Sequence, residues 1–250
     1  GHWLQGGIGK DRKDTGMLIK VFCETFKNMK KQPALIMKTS SAGFSIMDRE
    51  NMLNKINEIK SEIKGTCPNI YLVHGDFTDD EMNGLYNHPK VKAHISFTHG
   101  EGFGRPLLEA SLSEKPVIAS NWSGHLDFLD SKYSVLLDGA FEKVQKGSFP
   151  DQFFVEGSEW FTVNYQKASQ TLRKIYRSYK KYTANAKRLS LNNSKNFSLD
   201  RMTEELGKIL DRHVPEFPKQ VELKLPKLKK AEKTLFKTVP FMKMPTFLHP

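Results

Sequence analysis

Over its first 140 residues the chain alternates short apolar runs with amphipathic helical stretches, and glycines punctuate the joins. That rhythm constrains the fold more than any other feature. Parallel strands cannot be joined by tight turns, so each strand–helix–strand unit crosses over a sheet face, and helices come to cover both faces. Candidate strands are "HWLQGG", "PALIMKT", "NIYLVHG", "VKAHISF", "KPVIAS" and "SVLLD". Between them, a helix starting at Asp14 or Thr15 places Leu18, Val21, Phe22 and Phe26 on one face. Asp48 reads as the cap of a second helix with Leu53, Ile56, Ile59 and Ile63 inward, closed by Gly65. Thr78 and Glu81 have the spacing of a capping box for a third helix carrying Met82 and Leu85. "RPLLEASL" is a fourth, with Pro106 in its first turn, and "SGHLDFL" is a short one.

Right-handed crossovers bring every strand-to-helix loop to one edge of such a sheet, where ligands bind. The glycine-bearing loops at 6–10, 75 and 100–104 are therefore expected to converge. Residues 141–164 are aromatic-rich and irregular and read as a packed loop. A long helical pattern follows over about 165–191, and another over about 198–212. From 214 onward, prolines at 215, 218, 226, 240, 245 and 250 exclude a long helix. "VELKL" alternates as a strand would, but an extended arm is the favoured reading. The expected organisation is an α/β domain with C-terminal helices over 1–213 and an extended basic and apolar tail over 214–250.

The net charge of +11 raises the question of an anionic partner. The excess is spread over the helical stretch 166–188 and the tail, with no zinc-finger, RNP or helix-turn-helix pattern beside it. A solvated helix face plus a basic tail is favoured; a phosphorylated ligand, a membrane surface and nucleic acid are the alternatives, nucleic acid the weakest. Cys23 and Cys67 lack a CxxC or matching histidines, so core thiols in a reducing compartment are expected. No apolar run approaches the roughly 18 residues of a membrane span, and the N-terminus does not read as a signal peptide. The expectation is a cytoplasmic protein, with a membrane surface as an option. Gly1 and His2 look like a remnant of cloning, so the expectation is that the natural protein begins earlier and that the chain is an excised piece.

The least ordinary stretch is "FTHGEGFGRPLLEASLSEKPVIASNWSGH", residues 97–125. A helix starting near Arg105 and Pro106 leaves preceding amides without intrahelical acceptors, and with the helix dipole these suit a phosphate. Gly102 and Gly104 permit close approach of a ligand. Glu101 and Glu109, with seven residues between them, flank this turn. Two acceptor-only carboxylates on either side of an anion site suit a ligand with hydroxyls at both ends of a diphosphate. The bland alternative is an ordinary glycine-rich turn with both glutamates solvated.

"HGEGFGRPLLEASLSEKPVIASNWSG" resembles the signature of retaining glycosyltransferases of the GT-B fold, family 4 type, with its Glu-x7-Glu motif. "GKDRKDTGMLIKVF" and "YLVHGDFTDDEMNGLY" are similar to two other family segments, and the looser likeness runs from Gly7 to about Ile209. The resemblance implies one Rossmann-like half of a GT-B fold, the donor-binding C-terminal half, with the acceptor-binding N-terminal half missing. It implies a hexosyltransferase that retains anomeric configuration, uses a UDP-, GDP- or ADP-sugar without a metal, and serves a saccharide, lipid or protein acceptor.

Position by position, the resemblance implies that Glu109 binds the ribose hydroxyls and Glu101 the hexose. Backbone amides of Gly102, Phe103, Gly104 and Arg105, with Leu107 and Leu108 nearby, hold sugar and phosphate oxygens. Lys13 neutralises the departing diphosphate. The family's arginine slot just after Gly7 holds Ile8 here, so Arg12 is the substitute cation, with Lys10 behind it. Thr39, Asp76 and Phe77 stand where the base is read. Arg105 has two readings, phosphate or acceptor contact and solvent exposure; His99 orients Glu101 or packs; His125 is structural. The alternatives are an epimerase or phosphorylase of the same architecture and a non-catalytic module for phosphate or nucleic acid. A dehydrogenase is disfavoured, because "GGIGKDR" lacks the third glycine of the dinucleotide fingerprint, and Lys10 followed by Asp11 is not a Walker loop.

Overall fold

The computed structural model describes residues 2–4, 7–41 and 43–215. The chain divides into two compact units, Gly1–Gly207 and Lys208–Pro250. Of the second, only 208–215 are described, so the expected tail, "VELKL" included, lies outside the described residues except at 214 and 215.

The first unit is a mixed α/β structure with parallel strands flanked by helices. Its early elements are α1 (Thr15–Phe26), β1 (Leu35–Lys38), α2 (Ile46–Ser61), β2 (Ile70–Val73), α3 (Asp79–Asn87) and β3 (His94–Ile95). Then follow α4 (Arg105–Ser111), β4 (Val117–Ser120), a 3-10 turn at Gly124–Asp127, and β5 (Val135–Leu137). β1 pairs in parallel with β2, and β4 pairs in parallel with β3 on one side and β5 on the other. The expected first strand is reduced to a single parallel bridge between His2 and Ser40, with the Trp3 amide 2.8 Å from the Ser40 carbonyl; Gln5 and Gly6 lie outside the described residues. Trp3 is nonetheless buried, which ties the segment beside β1.

Why these stretches form these elements is legible residue by residue. Leu18, Val21, Phe22 and Phe26 are all buried along α1, as the helical period requires. The capping box at α3 is present in full, Thr78 and Glu81 each satisfying the other's backbone amide. At α2 the cap is Ser45, not Asp48: the Ser45 hydroxyl accepts from the Asp48 amide, and Asp48 sits in the first turn, where an acid also complements the helix dipole. That frees the Asp48 carboxylate for Ser41 and His74.

Residues 141–164 are not an irregular loop. β6 (Gly139–Lys143) and β7 (Glu159–Val163) form an antiparallel pair in the register Gly139 to Val163 through Lys143 to Glu159. The pairing is close enough that a Cβ on Gly139 would lie 2.0 Å from the Thr162 carbonyl oxygen. The long helix expected over 165–191 is two helices, α5 (Tyr165–Arg177) and α6 (Tyr179–Asn196), broken at Ser178. α7 follows over Leu199–His213.

The larger apolar cluster joins α1, α2 and α5 to Phe97, Ile118 and Leu137, and the smaller gathers Leu107, Ala110, Val117, Phe128 and Leu189. The 97–100 segment passes directly over the larger core and carries the glycine-rich loop at its edge. Both cysteines are free thiols. Burial first, and then the neighbouring Cys67, pushes the Cys23 thiol up to about 12.

Candidate functional site

The segment before α1 folds back over the end of β3. The His99 amide donates to the Arg12 carbonyl at 3.0 Å, and the Arg12 guanidinium returns a bond to the Gly100 carbonyl at 2.9 Å. This clasp joins segments 88 residues apart in sequence and sets two cations above the glycine-rich loop. Lys13 Nζ makes a close ion pair with Glu101 Oε1, and Arg12 Nη1 lies 3.8 Å from Glu101 Oε2. The Glu101 side chain is only 13% exposed, so the pair is largely withdrawn from water. Burial lowers the pKa of Lys13, the bond and charge of Glu101 oppose that, and Arg12 adds to the lowering.

A second clasp holds the backbone of Glu101. The Ser123 hydroxyl accepts from the Glu101 amide at 3.0 Å and lies 2.6 Å from the Glu101 carbonyl, to which the Gly124 amide also donates at 3.0 Å. The approach leaves no room for a side chain: a Cβ on Gly124 would fall 2.0 Å from the Gly102 carbonyl oxygen. Gly104 caps α4 in the left-handed region at φ 88, a conformation that favours glycine. Gly102 is exposed with nothing within 4 Å of a would-be Cβ, so its face is open to a ligand.

The remaining residues of the turn divide into open and closed. Phe103 is half-exposed and tilts against Phe128 at 5.2 Å. The amides of Leu107 and Leu108 donate to the Gly104 carbonyl at 2.8 and 3.2 Å, and the Leu107 side chain is buried in the smaller core. The amides from Gly102 to Arg105 precede or open the helix and have no intrahelical acceptor. Arg105 pairs with Glu109 on its own helix at 3.1 Å, in the open. Tyr86 stands beside Glu109; burial first, then the Glu109 carboxylate, raises its hydroxyl to about 12.

Gly7 lies in the exposed bend before α1, where its carbonyl accepts from the Lys10 amide at 3.0 Å. Ile8 packs against the core beside Gly16, so the slot after Gly7 faces inward, and Arg12 is the second cation in contact with Glu101. Thr39 is buried at the end of β1. Phe77 lies past β2, its ring 4.8 Å from the Lys38 ammonium, which also donates to the Gly75 carbonyl at 2.7 Å. Phe44 joins them, its ring 5.6 Å from the same ammonium. Beneath, His74 and Ser41 both bond Asp48, and Ser41 first, then His74, holds that carboxylate below its usual range. Asp76 accepts from its neighbour's amide, that of Phe77, at 3.1 Å.

His99 packs rather than orienting Glu101. Its ring stacks on Trp160 at 3.8 Å, and Nδ1 donates to the Phe161 carbonyl at 2.8 Å. His125 is fully buried with Nε2 on the Ser120 carbonyl at 2.7 Å, a structural role. Sequence reasoning missed Lys38 and Phe44, and it missed the direct pairing of Lys13 and Arg12 with Glu101; side-chain contacts between distant loops leave no local pattern. A shallow cavity of about 180 Å³ opens on the β6–β7 hairpin, lined by Asp138, Glu142, Asn164 and Lys167 rather than by the glycine-rich loop.

No protein-family model and no curated protein matches this sequence. Solved structures do match in fold. Anabaena HepE, determined with UDP and glucose, superposes with a TM-score of 0.54 at 14% identity, over 84% of this chain and 47% of that one. The sucrose-phosphate synthase of Thermosynechococcus elongatus gives 0.56 at 14% identity, over 84% and 44%. A glycosyltransferase from Rickettsia africae gives 0.52 at 19% identity, over 84% and 47%. The fold is therefore that of one Rossmann-like half of the GT-B architecture, and the chain spans about half the length of these structures.

Proposed function

We infer that this chain is the donor-binding half of a GT-B glycosyltransferase, one that takes a hexose from a nucleoside diphosphate and passes it on with retained anomeric configuration. The observation that carries the reading is the convergence of Lys13 and Arg12 on Glu101, at the edge of a glycine-rich loop whose next residue, Gly102, is open. Two cations and a row of unpartnered amides form a site for a diphosphate. Glu101 beside it accepts hydroxyls of the hexose, and Glu109, one turn into α4, those of the ribose. Phe77 and Phe44, with Thr39 at the strand end, offer a platform for the base.

In this mechanism Lys13 and Arg12 stabilise the charge that grows on the leaving diphosphate, an electrostatic contribution made by side chains in place of a metal ion. Glu101 holds both cations before the donor arrives and yields them to the diphosphate when it does, turning its oxygens to the hexose hydroxyls. UDP, GDP and ADP sugars are the candidate donors; UDP-glucose is the first probe to try, because HepE, similar in fold, was determined with UDP and glucose. The acceptor, whether saccharide, lipid or protein, is assigned to a second domain of a longer protein, acting in the cytoplasm or at a membrane face. Among the described residues, no helix is long and apolar enough to cross a membrane.

Calorimetric titration with UDP-, GDP- and ADP-glucose tests the reading. At least one is expected to bind, with affinity reduced about tenfold or more by Lys13→Ala and by Glu109→Ala, the loss of a charged contact being about 1.5–3 kcal/mol. Absence of binding by all three, or indifference to both substitutions, refutes it.

A further inference from the structure

The loops that leave β1 and β2 meet at one side chain. Lys38, the last residue of β1, stands opposite Val73, the last of β2, in the parallel pair. Its ammonium donates to the Gly75 carbonyl at 2.7 Å and lies 4.8 Å from the centre of the Phe77 ring and 5.6 Å from that of Phe44. Two aromatic rings from two loops thus share one cation, at the strand ends where ligands of such sheets bind. Phe44 is half-exposed, so the cluster reaches the surface.

A buried bracket beneath fixes both loops. Asp48, in the first turn of α2, accepts from the Ser41 amide at 3.1 Å and from the Ser41 hydroxyl, and His74 Nε2 lies 2.7 Å from its Oδ2. The Phe44 ring meets the His74 ring edge-on at 5.9 Å. The cluster is also tied to the cations over Glu101. The Trp3 amide bonds the Ser40 carbonyl, two residues past Lys38, and the segment continuing from Trp3 reaches Glu101 at Arg12 and Lys13. The Gly75 carbonyl, the Asp48 carboxylate and the Asp76 carboxylate each meet a donor inside the cluster. Lys38, by contrast, brings a side chain that donates and cannot accept.

We propose that Lys38 is a specificity-determining residue of the nucleotide site: its ammonium, beside Phe44 and Phe77, selects a base with a ring keto oxygen, uracil or guanine, over one with an amino group in its place. The keto oxygen of uracil or guanine accepts from an ammonium, whereas the amino group of cytosine or adenine turns N–H groups toward it. A site that donates a charged bond rejects the analogue that cannot accept it. The proposal rests on the donor-binding reading above and narrows its candidate donors to UDP- and GDP-sugars.

The test is calorimetric titration with two pairs of nucleotides that differ chiefly in this group, UDP against CDP and inosine diphosphate against ADP, with GDP added to rank the two keto bases. In each pair that binds, the keto member is expected to bind about fivefold tighter or more. Lys38→Met keeps the apolar stem and removes the donor. It is expected to weaken the keto nucleotide to the level of its amino counterpart and to leave the latter within about twofold. Lys38→Arg keeps a cationic donor and should keep the preference. The wild-type comparison needs no substitution, so the proposal stays testable if Lys38→Met fails to fold. An amino member that binds as tightly as its keto partner, or a Lys38→Met protein that loses all the nucleotides alike, overturns the proposal. The donor-binding reading survives either result if Glu109→Ala weakens whichever nucleotide binds; no binding by any of them overturns both.

Discussion

Gly124 offers the sharpest perturbation in the molecule. A Cβ there would lie 2.0 Å from the Gly102 carbonyl oxygen, 2.7 Å from the Gly102 carbonyl carbon and 3.0 Å from the Glu101 carbonyl oxygen. An ordinary carbon–oxygen contact is about 3.2 Å or more, a little under optimal dispersion separation. Gly124→Ala therefore forces the two segments about 1 Å apart. That displacement strains or breaks the 3.0 Å bond from the Gly124 amide to the Glu101 carbonyl, so overpacking of about 1–3 kcal/mol adds to about 1 kcal/mol of lost hydrogen bond. For a domain of this size the sum corresponds to a fall in Tm of about 4–16 °C. The functional effect is larger, because a displacement of about 1 Å in a positioning element costs about a hundredfold. Gly102→Ala is the control. It meets nothing within 4 Å, so its Tm should stay within about 2 °C of wild type while donor binding falls, an exposed substitution without a clash being worth about 0.5 kcal/mol at most. Differential scanning calorimetry and titration with the best-bound nucleotide sugar read both quantities. If Gly124→Ala melts with the wild type and binds within twofold of it, the account of the clasp is wrong.

Glu109→Gln is expected to weaken nucleotide binding about tenfold in calorimetry while shifting Tm by under about 4 °C, since its exposed pair with Arg105 is worth under about 1 kcal/mol. Asp14 also predicts a pH-dependent stability. A carboxyl raised by burial from 3.8 to about 7 binds its proton more tightly when folded, so the stabilisation is complete below about pH 4 and is lost as pH rises through 7. The bound is about 4 kcal/mol, and denaturant unfolding at pH 4.5 and 8 should show that wild type gains stability on acidification relative to Asp14→Asn. Cys23, its thiol raised to about 12 by burial and by Cys67, should resist alkylation at pH 8 in the native state and react on unfolding, as followed by mass spectrometry.

How much of this was visible in the residues depends on how local the cause is. The inward face of α1 and the box at Thr78 and Glu81 rest on contacts within one helix, and both are read directly from spacing. Asp48 has the chemistry of a cap, but Ser45, three residues earlier, is an equally good one and takes the position, while the Asp48 carboxylate is engaged by His74 from another loop. β6 and β7 escape notice for a related reason. Their pairing joins strands separated by residues 144–158, with no tight-turn signature between them, and "EWFTV" reads equally well as loop packing. The break at Ser178 carries no proline or glycine, so the helical period runs through it. At the site, the glycine-rich turn and both glutamates stand out in the sequence, whereas Lys13 on Glu101 requires the fold to bring residue 13 to residue 101.

That ion pair has a consequence for how salt should act. The whole chain carries +11, which alone would suggest that binding of an anion collapses steeply as ionic strength rises. On the donor-binding reading, however, the ligand meets a local set of Arg12, Lys13 and Glu101 in which the carboxylate offsets one of the two positive charges internally, leaving a single positive unit rather than two. Donor entry is then an exchange of one set of oxygens for another around the same ammonium, and few counterions are set free. Affinity should fall only gently between low and physiological salt, and Glu101→Gln, by leaving two uncompensated cations, should make the same binding markedly more sensitive to it.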